Sequence, residues 1–205
     1  TTLRFVLKIY ENKYQITYKT PHIGMVNTAC AAAAVAHIIG IPDACIVKAL
    51  EKPVIVPGRF EPRQLCATRG ILINDCYNAN PESMKAALAA LEHIETRAQK
   101  IAVLGDMLEL GEQSLFWHRQ IGRFMRKSIS LRHVILVGDH IHTIKQTLPP
   151  HIIAQTVSSW QDAITILEPL LHKESLVLVK GSRGMQLDKL VDAFTQTEIA
   201  HEFAS

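Results

Sequence analysis

Three short polar strings carry most of the residues in this 205-residue chain that could do chemistry, and each directly follows an apolar run: DCYNANP at 75–81, GDMLELG at 105–111 and KGSRGM at 180–185. Lys180, Ser182 and Arg183 offer charge and donors suited to a phosphate or carboxylate whose charge is stabilised during acyl transfer. Read structurally, the same string is a helix cap with two solvated charges. Asp106 and Glu109 are able to orient an ammonium group or a metal-bound water, or to serve as helix-start carboxylates favoured by the dipole. In the first string Asp75, Asn78 and Asn80 offer acceptors and amides for a nucleotide or sugar, with Tyr77 beside them as a substrate contact. Asn80 also has the alternative job of capping the following helix, and Asn78 of shaping the turn.

Two further residues lie at candidate junctions. Arg59, in PGRFE, can reach a phosphate bound between domains or form a surface ion pair with Glu61. Asn27, near the start of an alanine-rich helix, can meet the same ligand from the other side or act as a plain helix-start amide. His118 falls on the apolar side of a helical pattern between Leu115 and Ile121, which predicts a hydrogen-bonded, partly buried ring rather than a catalytic one. His140 and His142 have no third ligand nearby and read as loop residues, so no metal site is expected from them.

The elements that must position these strings are legible from hydrophobic periodicity. ILI (71–73), IAVLG (101–105), HVILVG (133–138) and LVLVKG (176–181) are continuous rather than alternating runs, as in strands covered on both faces of a parallel sheet. Helical patterns alternate with them. The first has Asn80 as cap, Pro81 in its first turn, and Met84, Ala87, Leu88, Leu91 and Ile94 at helical spacing. Units around 112–128, 159–171 and 185–195 complete a doubly wound, mostly parallel Rossmann-like α/β domain of roughly 145 residues. In such sheets ligands bind at the carboxyl ends of the strands, so the three strings are expected to line one edge.

Upstream, LRFVLKIY and KYQITYK read as a hairpin around a polar tip at Glu11-Asn12-Lys13, followed by helices at about 25–39 and 42–51. A hairpin and two helices bury too little surface to stand alone, and a larger unit is expected to precede them. KPVIVPG at 52–58 is the best linker candidate, and a boundary is drawn near residue 57.

Composition narrows the class. A net charge of +3 with Lys and Arg scattered among Asp and Glu argues against a nucleic-acid partner. The four cysteines show no C-x-x-C or zinc spacing, two of them fall in apolar runs as core residues do, and a reducing compartment is expected. No leader and no apolar stretch near 18 residues is present, so a cytoplasmic protein without a membrane span is expected.

Taken in order, GRFE, DCYNANPESMKAAL, VLGDMLELG with His118 following, and LVKGSRGM resemble the Mur ligases of bacterial cell-wall synthesis. The YNANP and KGSR strings point to the branch that joins D-alanyl-D-alanine to UDP-N-acetylmuramoyl-tripeptide. Residues 58 to about 196 resemble that family's carboxy-terminal domain and residues 1–57 the end of its central ATP-binding domain. The resemblance implies ATP and Mg2+ as cofactors, both held mainly upstream, an acyl-phosphate intermediate, and a monomer. It implies nucleotide contacts at Asn27, Arg59, Asp75 and Asn78 and an active-site loop at Lys180 to Arg183, with Lys180 and Arg183 as the catalytic pair. It also implies that Lys180→Ala or Arg183→Ala damages turnover much more than folding. The family's G-x-H-N-x-x-N pattern occurs here only as HIGMVN, with Ile23 and Gly24 where His and the first Asn would stand. No G-x-x-x-x-G-K-[ST] loop occurs, and the chain by itself is expected to be inactive. Diaminopimelate- or lysine-adding ligases, folylpolyglutamate synthases and a non-catalytic anion-binding module remain as alternatives.

Overall fold

The computed structural model describes residues 2–18, 22–52 and 55–199, with the side chains of 196–199 outside that description. Residues 61–199 contain a seven-stranded sheet in the order β7-β6-β5-β8-β4-β3-β9. Its strands are β3 (Glu61–Leu65), β4 (Ile71–Asp75), β5 (Lys100–Gly105), β6 (Leu131–Val137), β7 (Ile153–Val157), β8 (Leu176–Lys180) and β9 (Thr195–Ile199). All four continuous apolar runs became parallel neighbours: β4 with β8, β8 with β5, β5 with β6, and β6 with β7.

Successive strand residues divide between two cores, which is why these strands read as unbroken apolar runs. Ala102 and Leu104 of β5 pack with Met84, Leu88 and Leu91 of α3 (Pro81–His93) and Ile121 and Met125 of α4 (Ser114–Met125). Ile101 and Val103 face the opposite core, with Ala163 and Leu167 of α5 (Trp160–Leu167) and Leu187, Leu190 and Val191 of α6 (Leu187–Phe194). The chain runs outward from β4 through α3 to β5 and α4 to β6, then returns through α5 to insert β8 between β5 and β4. That reversal puts the carboxyl ends of β4, β8 and β5 side by side.

Three strands are additional to the sequence reading. β3 (EPRQL) and β9 pair antiparallel on one flank, and β7 (IAQTV) forms the other edge. Each is five residues long and carries polar groups, as strands near a sheet edge do, so none produces a continuous apolar run. Between β6 and β7 the crossover is a 3-10 segment, Ile141–Thr147, in place of a full helix.

The first unit is the hairpin β1 (Leu3–Ile9) and β2 (Asn12–Tyr18), followed by α1 (Gly24–Ile38) and α2 (Asp43–Leu50). Ile9 pairs with Asn12, so the turn is Tyr10-Glu11 and not the more polar Glu11–Lys13 tip. Tyr10 takes φ 49°, the left-handed geometry that a two-residue hairpin turn demands. Leu7, Ile9, Ile16, Ala33 and Ile46 form its small core. Tyr14 Oη donates to Asp43 at 2.9 Å and His37 Nδ1 meets the same carboxylate at 2.9 Å, tying hairpin and helices together. Residues 53 and 54 of the predicted linker lie outside the described residues; just past them Val56 bridges to Arg59. The four cysteines are free, and only Cys76 is buried; Cys30 and Cys45, in apolar runs, are exposed.

Candidate functional site

The three polar strings meet at the carboxyl edge of β4, β5 and β8, as their placement predicts. Glycines permit the meeting: a Cβ on Gly181, just past β8, would lie 3.0 Å from the Gly105 Cα that ends β5. Two clefts open there and share the segment Asn78 to Asn80.

The first cleft, of ≈ 800 Å3, lies between the start of α1 and the β4–α3 loop. Asn27, Arg59, Asp75, Asn78 and Lys180 all line it, together with His22 and Phe60. Sequence reasoning overlooked these two rings, which pack edge to face at 4.8 Å. Their one available signal was adjacency, since His22 stands beside the α1 start and Phe60 follows Arg59. Burial lowers the pKa of His22, with the Lys180 charge acting the same way and Asp75 opposing.

Lys180 is not a solvated charge. It is 2% exposed, its ammonium lies 2.7 Å from Asp75 Oδ2, and it donates to the Asn78 carbonyl at 3.0 Å. Asp75 Oδ1 accepts the Phe60 amide at 3.1 Å, so the carboxylate links strand, loop and junction. Lys180→Ala therefore carries a folding cost of its own, since it strips a buried carboxylate of its counter-ion. The junction has a second anchor in Glu61, which accepts from Gly58 N and Asn74 Nδ2, both at 2.9 Å. Its guanidinium partner is Arg63, at 3.1 Å, and not Arg59. Arg59 instead lies over the Tyr77 ring, 4.2 Å from the centroid, where its charge stays available to the cleft.

The second cleft, of ≈ 410 Å3, is walled by Tyr77 to Asn80, Leu108 to Leu110 and Ser182 to Gly184. It thus takes residues from all three strings. Exposed Arg183 and Glu109 put opposite charges on its lining, and Leu108, Leu110 and Tyr77 supply apolar surface. Asn80 caps α3 by accepting from Ser83 N at 2.8 Å, while Ser83 Oγ accepts from the Asn80 amide at 3.1 Å. Capping thus occupies its carbonyl oxygen.

Two residues expected to touch substrate carry architecture instead. The Asp106 carboxylate accepts the backbone amides of Asp139, His140 and Ile141, the last at 2.6 Å, and so holds the loop after β6. Gly138 makes this possible, with φ +124° and no room for a Cβ, which would sit 2.6 Å from that carboxylate. Ser182 Oγ accepts from Leu108 N at 2.9 Å and donates to the Ala79 carbonyl at 3.4 Å, joining the three strings to one another. Among the described residues there is no group of three or more His, Cys, Asp or Glu that could hold a metal ion.

The family model described as "Mur ligase, glutamate ligase domain" matches residues 58–183. Two relatives are each named UDP-N-acetylmuramoyl-tripeptide–D-alanyl-D-alanine ligase. The one from Rickettsia prowazekii is 37% identical over 123 residues, 60% of this chain and 27% of its own length. The one from Bacillus subtilis is 31% identical over 200 residues, 96% of this chain and 43% of its own length. A solved structure of MurF from Acinetobacter baumannii superposes with a TM-score of 0.80 at 27% identity, over 94% of this chain and 42% of that one. The chain spans less than half the length of the relatives it matches.

Proposed function

We propose, from the premise that this chain belongs to the Mur ligase family, that it forms part of an ATP-dependent ligase joining D-alanyl-D-alanine to UDP-N-acetylmuramoyl-tripeptide. The boundary we draw near residue 57 separates the end of a nucleotide-binding unit from the domain that receives the amine substrate. In this reading the tripeptide carboxylate takes the γ-phosphoryl group of ATP and ADP leaves. The dipeptide ammonium gives up a proton to solvent, the free amine attacks the acyl carbon, and the amide forms as a second proton is lost and phosphate departs with the former carboxylate oxygen.

The observation that carries this reading is the pair of clefts on either side of Asn78 to Asn80. Arg59 and Asn27 meet the nucleotide in the first. Lys180 shapes that cleft through Asp75 and the Asn78 carbonyl, with two of its three donors committed. In the second, Arg183 receives the dipeptide carboxylate and Glu109 orients its ammonium end until the amine is delivered toward the shared segment.

Among the described residues no helix is long and apolar enough to cross a membrane, and we assign the enzyme to the cytoplasm as a monomer. The test is kinetic, in the full-length ligase. Arg183→Ala should raise the KM for D-alanyl-D-alanine and leave that for ATP alone, and Arg59→Ala should do the reverse. Equal changes in both constants for both variants would sink the two-cleft assignment.

A further inference from the structure

Met107 N–H points at His118 Nε2, 3.1 Å away. A backbone amide only donates, so Nε2 presents its lone pair and the ring proton belongs on Nδ1. Nδ1 lies 2.8 Å from the Ser114 carbonyl oxygen, which only accepts. Two neighbours thus dictate the same neutral tautomer for a ring with no exposed surface.

Met107 immediately precedes Leu108 to Leu110, one wall of the second cleft. Glu109, in that wall, takes φ +64°, a backbone geometry that a non-glycine residue keeps only where its surroundings hold it. The surroundings are two anchored amides, Met107 on His118 and Leu108 on Ser182 Oγ. We propose that His118 is a positioning residue for the second cleft: its neutral ring holds the Leu108–Leu110 wall through Met107, and protonation releases that wall. The reading of this cleft as the amine-substrate site matters only for the effect on binding.

The charged and titratable groups facing the ring come from several elements. Asp106, at the end of β5, has Oδ1 3.7 Å from Nε2. His140, ahead of the 3-10 segment, has its ring centroid 6.1 Å away, and His142 acts from within that segment. Burial is the largest influence and lowers the pKa; both histidines push the same way, while the Ser114 carbonyl and Asp106 oppose them. Once protonated, Nε2 can no longer accept. Met107 N–H is then left unpaired, and Nε2–H turns toward an Asp106 carboxylate already serving three backbone amides.

Nitrogen-15 spectra of this chain should show His118 protonated on Nδ1 at about pH 7.5, and Leu108, Glu109 and Leu110 amides that shift together with the ring as it titrates below its ordinary value. His118→Phe should speed Met107 amide exchange on the order of tenfold or more. His118→Gln, whose amide oxygen can reach the Nε2 position but does not titrate, should keep Met107 protected and abolish the pH response of the wall. An Nε2–H tautomer in the wild type would overturn the proposal. So would wall amides that ignore the ring's titration, or a response surviving in His118→Gln. Where the wild type binds D-alanyl-D-alanine, its affinity should fall with the same titration; an affinity indifferent to it while the wall moves would count against the amine-site reading alone and leave the role of His118 standing. No dipeptide binding by the full-length ligase at any pH would instead remove the amine-site reading, while the tautomer and wall amides would still decide the role of His118.

Discussion

Lys180→Met removes the ammonium from a pair that is 2.7 Å long, with side chains 2% and 11% exposed. Breaking a buried pair from one side costs about 3–5 kcal/mol, because the remaining charge is left desolvated. Asp75 retains the Phe60 amide and borders the first cleft, where water can reach it, so the loss belongs at the lower end, about 3 kcal/mol. For a chain of this size that corresponds to roughly 6–12 °C in Tm. Asp75→Asn should be the more damaging single change, since it strands the more deeply buried partner. The double variant Lys180→Met/Asp75→Asn should recover much of either loss, because no uncompensated charge remains. Urea denaturation of the four proteins measures all three quantities. A Lys180→Met protein within about 0.5 kcal/mol of wild type, or a double variant no better than its parents, would refute a buried, mutually dependent pair.

Asn80→Ala removes the α3 cap and should cost about 1 kcal/mol in urea denaturation, with the slope unchanged. Arg183→Ala touches an exposed side chain and should leave stability within about 0.5 kcal/mol by the same assay, the reverse of the Lys180 result. Acid should destabilise the fold through His22, His118 and His133, whose pKa values all lie below their ordinary one, chiefly through burial. Each is held neutral when folded, so its contribution is complete above about pH 6.5 and is lost as pH falls through the depressed value. The urea midpoint should accordingly drop as pH falls below about 6.5, and less so in His118→Gln. Residues 58–199 alone should unfold in one cooperative transition; loss of all structure on removing 1–57 would overturn the proposed boundary.

The parallel centre of the sheet was legible because β4, β5, β6 and β8 are covered on both faces and therefore carry unbroken apolar runs. β3, β7 and β9 were not, because short strands near an edge can mix polar and apolar residues without cost. The same contrast holds in the site. That Asn80 caps a helix is written in the local N-P-E-S string, whereas the roles of Asp106 and Ser182 depend on partners tens of residues away. A buried lysine at 180 was equally hidden: its neighbours Val179 and Gly181 suggest a strand end, but nothing local reveals that Asp75 waits 2.7 Å away. Residues whose partners are close in sequence could be read directly, and those whose partners arrive by strand pairing could not.

The most direct test of the two-cleft account is an amide-shift map of the full-length ligase titrated separately with ATP and with D-alanyl-D-alanine. The account predicts that ATP moves Asn27, Arg59 and Asp75, that the dipeptide moves Tyr77, Glu109 and Arg183, and that both reach Asn78 to Asn80. A dipeptide response confined to the α1 side, or an ATP response centred on Glu109 and Arg183, would contradict it.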